Sequence, residues 1–115
     1  MRNKYKNVKR GGFDSKREYR RYNELSILEK ANLISELQCQ FSFELLEGFT
    51  LNNHHECKKQ TSDKVRPINY IADFVYQENG FYIVEDSKGA LTDTYKLKRK
   101  LFLKKYGEYF VFLET

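Results

Sequence analysis

Ile71-Ala72-Asp73-Phe74-Val75, then Gln77-Glu78-Asn79-Gly80, then Val84-Glu85-Asp86-Ser87-Lys88, is the stretch that decides the fold. Asn-Gly between two β-rich runs is the strongest short-range hairpin signal. With Asn79-Gly80 as the two-residue loop, Glu78 faces Phe81 and Asp73 lies directly opposite Asp86. Side chains alternate along a strand, so Asp86 and Lys88 share a face while Glu85 points away. Opposed residues have Cβ atoms about 5 Å apart, and like charges there are destabilising. A divalent cation between the carboxylates would remove that conflict, and hard oxygen ligands suit Mg2+ or Mn2+.

Outward from the hairpin, whose strands are expected over 68–76 and 81–86, the pattern is helical on both sides. Ser15-Lys16-Arg17-Glu18 matches a capping box, with Ser15 as N-cap. Tyr19, Tyr22, Leu25 and Leu28 recur at helical spacing and predict a helix to about Ala31. Ile34 and Leu37 belong to a short connection, and residues 38–46, with Phe41, Phe43 and Leu45, read as a first strand. Residues 49–66 form a polar middle, either a loop or an irregular strand pair. Gly89 lets the chain turn away. Thr92, Asp93 or Thr94 caps a second helix through about Tyr106, broken by Gly107. Residues 109–113 close the chain as a buried strand. The order helix, strand, strand, strand, helix, strand implies an α/β fold, a small mixed sheet with flanking helices. A parallel final pair would need a right-handed crossover.

A chain of 115 residues, 40% hydrophobic with nine Tyr and nine Phe, is one folded domain rather than a disordered tail. It has no apolar run long enough for a membrane span. Its basic start lacks the apolar region of a secretory signal, which points to the cytoplasm. Cys39 and Cys57 set no disulfide framework. His54, His55, Glu56 and Cys57 match no standard zinc spacing and read as a polar loop.

The net charge of +5 is unevenly spread. Residues 1–13 form a basic arm with Arg2, Lys4, Lys6, Lys9 and Arg10, ahead of a single domain over 14–115. Lys16 and Arg17 extend that block. Lys96, Lys98, Arg99 and Lys100 lead a second one, with Lys104 and Lys105 behind them. Clustered basic charge is the footprint of a polyanion binder such as nucleic acid, although solvated helix faces would look the same.

Phosphodiester hydrolysis needs a nucleophilic water and a stabilised leaving oxygen. A metal held by Asp73, Asp86 and the Ser87 backbone carbonyl can supply both. Lys88 could orient or deprotonate the water, or neutralise charge in the transition state. Glu18, in the first turn of the helix, could complete the site. Each residue also has a plainer reading: Glu18 as a capping acid, Asp73 as a solvated strand acid, Asp86 and Lys88 as a surface ion pair. Tyr19, Tyr22, Tyr95 and Tyr106 read as core or core-edge residues rather than base-stacking platforms.

At these residues the chain resembles the PD-(D/E)xK nuclease superfamily: Glu18, Asp73, and Asp86-Ser87-Lys88 in that order. More closely, Phe13-Asp14-Ser15-Lys16-Arg17-Glu18, Tyr70-Ile71-Ala72-Asp73-Phe74-Val75-Tyr76 and Val84-Glu85-Asp86-Ser87-Lys88-Gly89 resemble a group of short bacteriophage and prophage proteins, the DUF1064 family. Ala72 stands where Pro precedes the acid in the superfamily pattern, and the Lys88 spacing favours Asp86 over Glu85. The resemblance implies a restriction-endonuclease-like αβββαβ core and a Mg2+- or Mn2+-dependent DNA endonuclease. Its substrate would be branched DNA, as for Holliday-junction resolvases, cut by a homodimer in the host cytoplasm. The alternatives are a phage nuclease that nicks or cuts duplex DNA, a non-catalytic DNA-binding module, and a small protein that binds host factors.

Overall fold

The computed structural model describes residues 15–51, 64–87 and 91–115. Helix α1 (Lys16–Lys30) begins where the capping signal places it, with Ser15 Oγ accepting the Glu18 backbone N–H at 3.0 Å. Strand β1 (Ser35–Leu46) starts three residues earlier than its pattern suggests. The chain turns through Asn32 at φ 62°, and the Glu29 carboxylate accepts the Leu37 N–H at 3.0 Å, so Leu37 joins the sheet instead of a connection. Strands β2 (Phe49–Thr50) and β3 (Lys64–Val65) pair antiparallel, so the polar middle carries an irregular strand pair.

The hairpin forms as read. Strands β4 (Ile68–Glu78) and β5 (Phe81–Asp86) meet through Asn79 and Gly80, at φ 52° and 84°. Two positive φ values in a two-residue loop match the twist of the flanking strands. The register pairs Glu78 with Phe81 and Phe74 with Glu85, which carries Asp73 to the position opposite Asp86. Helix α2 (Asp93–Tyr106) is capped by Thr92, whose Oγ1 accepts the Tyr95 N–H at 3.1 Å, and β6 (Val111–Glu114) follows Gly107.

The main sheet has the order β1-β4-β5-β6, antiparallel except for the parallel β5–β6 pair. Helix α2 is the crossover between those two strands, as a parallel pair requires. This mixed sheet and the αβββαβ order agree with the restriction-endonuclease-like core expected of the sequence. The closing strand differs from expectation in one respect: it is not buried. It sits at the sheet edge, with Phe112 turned toward α2 while Val111 and Leu113 stay 42% and 37% exposed. Helix α1 packs on β1, at the other edge, and does not cover them.

Two apolar clusters lie on opposite faces. Leu25 of α1 joins Ile34, Phe74, Tyr76 and Ile83, with Leu37 and Cys39 alongside. Tyr95 and Phe102 of α2 join Phe43, Tyr70, Ala72, Val75 and Val84, with Phe41 and Leu45 alongside. Simple alternation would put Leu37, Cys39, Phe41 and Phe43 on one face. Instead β1 changes faces between Cys39 and Phe41, and β4 changes faces between Ala72 and Phe74. Those two breaks are opposite one another, because Cys39 pairs with Phe74 and Phe41 with Ala72. The opposed residues at the switch are Gln40 and Asp73.

Phe102 is the keystone of the α2 cluster, with ring contacts to Phe43, Tyr70, Tyr106, Phe110 and Phe112. Phe102→Ala should cost about 3–5 kcal/mol, read as a lower urea midpoint at unchanged slope. A midpoint within error of the parent would show that the cluster is not cooperative.

Candidate active site

Asp73 and Asp86 are both buried, at opposed positions on adjacent strands, close enough for the charge of Asp86 to act on Asp73. Asp73 Oδ2 accepts the Ser87 backbone N–H at 2.8 Å, and Asp86 Oδ2 accepts the Tyr70 hydroxyl. Burial, then the Asp86 charge, pushes the Asp73 carboxyl up to about 8, against the partial relief given by Ser87. Burial and the same Asp86 raise Tyr70 well above the ordinary tyrosine range, so Tyr70 stays a donor. Burial and the neighbouring charge thus favour the protonated form of Asp73 well beyond the ordinary aspartate range.

Glu18 reaches the same place from α1. Its backbone N–H serves the helix cap, whereas its carboxylate is buried and turned inward. Gln40 links it to the pair: Nε2 donates to Glu18 Oε2 at 3.2 Å and to Asp73 Oδ1 at 3.3 Å. Gln40 holds φ 54° within a strand. A left-handed non-glycine residue costs about 1–3 kcal/mol and persists only where its surroundings enforce it. Cys39, half-buried beside these acids, has its thiol pushed up to about 12 by burial, then by the Glu18 and Asp73 charges, which makes it a poor nucleophile.

Glu85, next to Asp86, has the opposite surroundings. It is fully buried on the α1 face, where Arg21 grips it through Nε at 2.5 Å and Nη2 at 2.9 Å, and the Tyr76 hydroxyl donates at 2.8 Å. Its bond raises the Arg21 guanidinium above its ordinary range. Glu85 is thus a structural acid, and Asp86 is the one available to the cluster. Arg21 lies three residues after Glu18, so a single helical turn supplies both the clamp on β5 and the third acid.

As donors, these groups fit a hard divalent cation. Among the described residues no three His, Cys, Asp or Glu side chains close into a metal cage. Mg2+ does not require one, since it is usually bound by one or two carboxylates together with water and substrate phosphate. Asp73 and Asp86 meet that requirement.

A family model described as "Protein of unknown function (DUF1064)" matches residues 2–112. The chain belongs to the DUF1064 family. No curated protein and no solved structure matches it.

In this DUF1064 chain the remaining residues singled out by sequence are unevenly placed. Lys88 lies outside the described residues, as do Lys4, Lys6, Lys9, Arg10, His54, His55, Glu56 and Cys57. Ser87 is described through its N–H bond to Asp73. Lys16 and Arg17 are exposed at the start of α1, close in sequence to Glu18, and Lys96 and Lys100 are exposed on α2. Arg99 differs from its neighbours, because its Nη1 meets both carboxylate oxygens of Glu114 at 2.6 Å and Tyr95 donates to the same carboxylate at 2.6 Å. It braces α2 to β6 rather than standing open to a phosphate. Gln40, Tyr70, Arg21 and Tyr76 are the contacts that sequence patterning missed, since each depends on a partner far along the chain. Among the described residues no helix is long and apolar enough to cross a membrane.

Arg21→Met strips the partner from a fully buried carboxylate and should destabilise by about 3 kcal/mol or more. Arg21→Met with Glu85→Leu removes both charges and should recover most of that loss. Chemical denaturation of the single and double variants checks the cycle; equal losses in both would mean that the pair contributes through packing alone.

The Asp73 shift sets a pH dependence. Its folded pKa, about 8, lies above that of an unfolded aspartate, so the folded state holds a proton that the unfolded chain has released. Its contribution to stability is full below about pH 4 and is lost as pH rises through about 8. Thermal melts in chelator should show Tm falling from pH 5 to pH 8, and Asp73→Asn should flatten that fall. A parent Tm that rises over this window would contradict the raised Asp73 pKa.

Proposed function

We propose that this DUF1064 chain is a divalent-metal-dependent DNA endonuclease of the PD-(D/E)xK type. The observation that carries this reading is the buried Asp73–Asp86 pair at the hairpin, with Glu18 joined to it through Gln40. Two carboxylates kept in contact at a stability cost are an expensive way to build a core, and an economical way to build a cation site. When bound, Mg2+ or Mn2+ supplies a more acidic water and stabilises charge on the phosphate.

The chain's own residues have distinct tasks in this reading. Asp73 and Asp86 provide the hard oxygen donors, with Ser87 contributing its backbone carbonyl. Tyr70 fixes the orientation of Asp86, as Ser87 N–H fixes that of Asp73. Glu18 holds a water or a further contact to the ion. Lys88, two residues beyond Asp86, orients the attacking water and offsets charge on the pentacovalent phosphate. Exposed Lys16, Arg17, Lys96 and Lys100, with Lys98 and the arm residues Lys4, Lys6, Lys9 and Arg10, bind the DNA backbone.

The substrate is branched DNA. Resolving a junction requires two coordinated cuts, and the described residues hold one buried acid cluster, so the active unit is a homodimer. The setting is a phage or prophage protein acting in the host cytoplasm.

The test is cleavage of labelled four-way junction, flap, duplex and single-stranded DNA in Mg2+, Mn2+ or chelator. Cutting should need the metal and favour the junction. Asp73→Asn and Asp86→Asn should each lower the rate by at least about a hundredfold. Junction binding should persist or tighten, because a charge that repels phosphate is gone. Full activity in both variants would sink the site assignment. Preference for linear duplex would leave a simpler nuclease, and metal-independent binding without cleavage would leave a DNA-binding module.

A further inference from the structure

We infer that Gln40 is the positioning residue of the acid cluster, and that β1 and β4 exchange faces at the Gln40–Asp73 pair in order to deliver it. The inference rests on the reading of that cluster as a divalent-metal site and adds a residue to it.

One nitrogen, Nε2, donates to Glu18 Oε2 at 3.2 Å and to Asp73 Oδ1 at 3.3 Å, so one amide spans the gap between α1 and β4. The group at that position has to satisfy opposing demands. Glu18 and Asp73 repel one another and need a donor between them. A lysine or arginine there would neutralise the charge that attracts a cation. A neutral amide orients both carboxylates and leaves their charge in place.

The backbone leads to the same conclusion independently. Cys39 faces the α1 cluster and Phe41 the α2 cluster, although strand alternation would put them together. Gln40, between them, sits at φ 54°. Opposite it, β4 changes faces at Asp73 in the same way, while the register on both sides is kept. The exchange lets Asp73 take the Gln40 amide on Oδ1 and the Ser87 N–H on Oδ2 while it stays beside Asp86. Glycine would take that backbone conformation with less strain. The amide explains why glutamine stands there.

Gln40→Gly and Gln40→Met separate the two contributions. Gly removes the amide and relaxes the backbone; Met removes the amide but keeps the length of the side chain. Calorimetric titration with Mn2+ alone should show the affinity lowered about ten- to a hundredfold in both variants. The metal-free Tm of Gln40→Gly should exceed that of Gln40→Met, since only Gly relieves the backbone, while Mn2+ affinity falls alike in both, a combination that a merely structural residue would not produce. Mn2+ affinity within twofold of the parent in both variants would overturn the Gln40 role and leave the metal site standing. A parent protein that binds no Mn2+ would overturn the metal reading itself, and the role of Gln40 within it.

Discussion

Asp73 and Asp86 are buried against each other on neighbouring strands, and a low-dielectric setting does not tolerate two adjacent negative charges without compensation. Much of the local structure answers that constraint. The hydroxyl of Tyr70 and the N–H of Ser87 each satisfy one carboxylate, and Gln40 supplies a further donor. None of the three carries a positive charge, so the repulsion is softened and not cancelled. What remains raises the proton affinity of Asp73. The surroundings thus preserve an electrostatic deficit that a lysine or arginine could have removed.

Glu85 shows the contrast within one strand. It is adjacent to Asp86, equally buried, and on the other face, where Arg21 grips it at two points and Tyr76 adds a third bond. Here the charge is fully matched. Such a buried pair contributes little net stability over an apolar substitute, but it tolerates few alternative packings. It fixes the rotation and height of α1 over β5. Because Glu18 lies three residues before Arg21, the same contact sets where Glu18 enters the cluster. A compensated acid on one face thereby aligns the uncompensated acids beside it.

The sequence exposes those features that depend on neighbours in the chain. Asn79-Gly80 specifies the loop, the loop specifies the register, and the register places Asp73 opposite Asp86. Ser15 and Thr92 mark both helix starts through bonds to residues three positions on. The alternation rule also separates Glu85 from Asp86 correctly. It fails in β1, where Leu37, Cys39, Phe41 and Phe43 look like one face and are divided between two clusters. No residue pattern announces that break, because Gln40 is neither glycine nor asparagine and its left-handed backbone is enforced from outside. Arg21, Tyr70 and Tyr76 were hidden for a related reason: Arg21 reaches its acid across 64 positions, and a helical arginine among exposed basic residues looks like surface charge. The closing strand looks buried in sequence and is not, because an apolar run does not reveal whether a helix lies over both of its faces.

Several departures from local rules coincide. Glu36, at φ 57°, marks a separate irregularity at the exposed start of β1, but the left-handed glutamine, the paired face exchange, the buried like-charged pair and the inward capping glutamate all meet at one point between α1 and the hairpin. Strain and electrostatic conflict concentrated in this way are disfavoured by folding alone and are retained where a site needs them. The charge distribution strengthens that conclusion. A chain of net charge +5, with basic residues exposed on both helices, attracts a polyanion, while its buried acids repel any phosphate that comes near. Those two tendencies oppose each other at the point where they meet. On the proposed reading, a divalent cation on the carboxylates would reconcile them, because it would offset the acids and turn the same site toward phosphate.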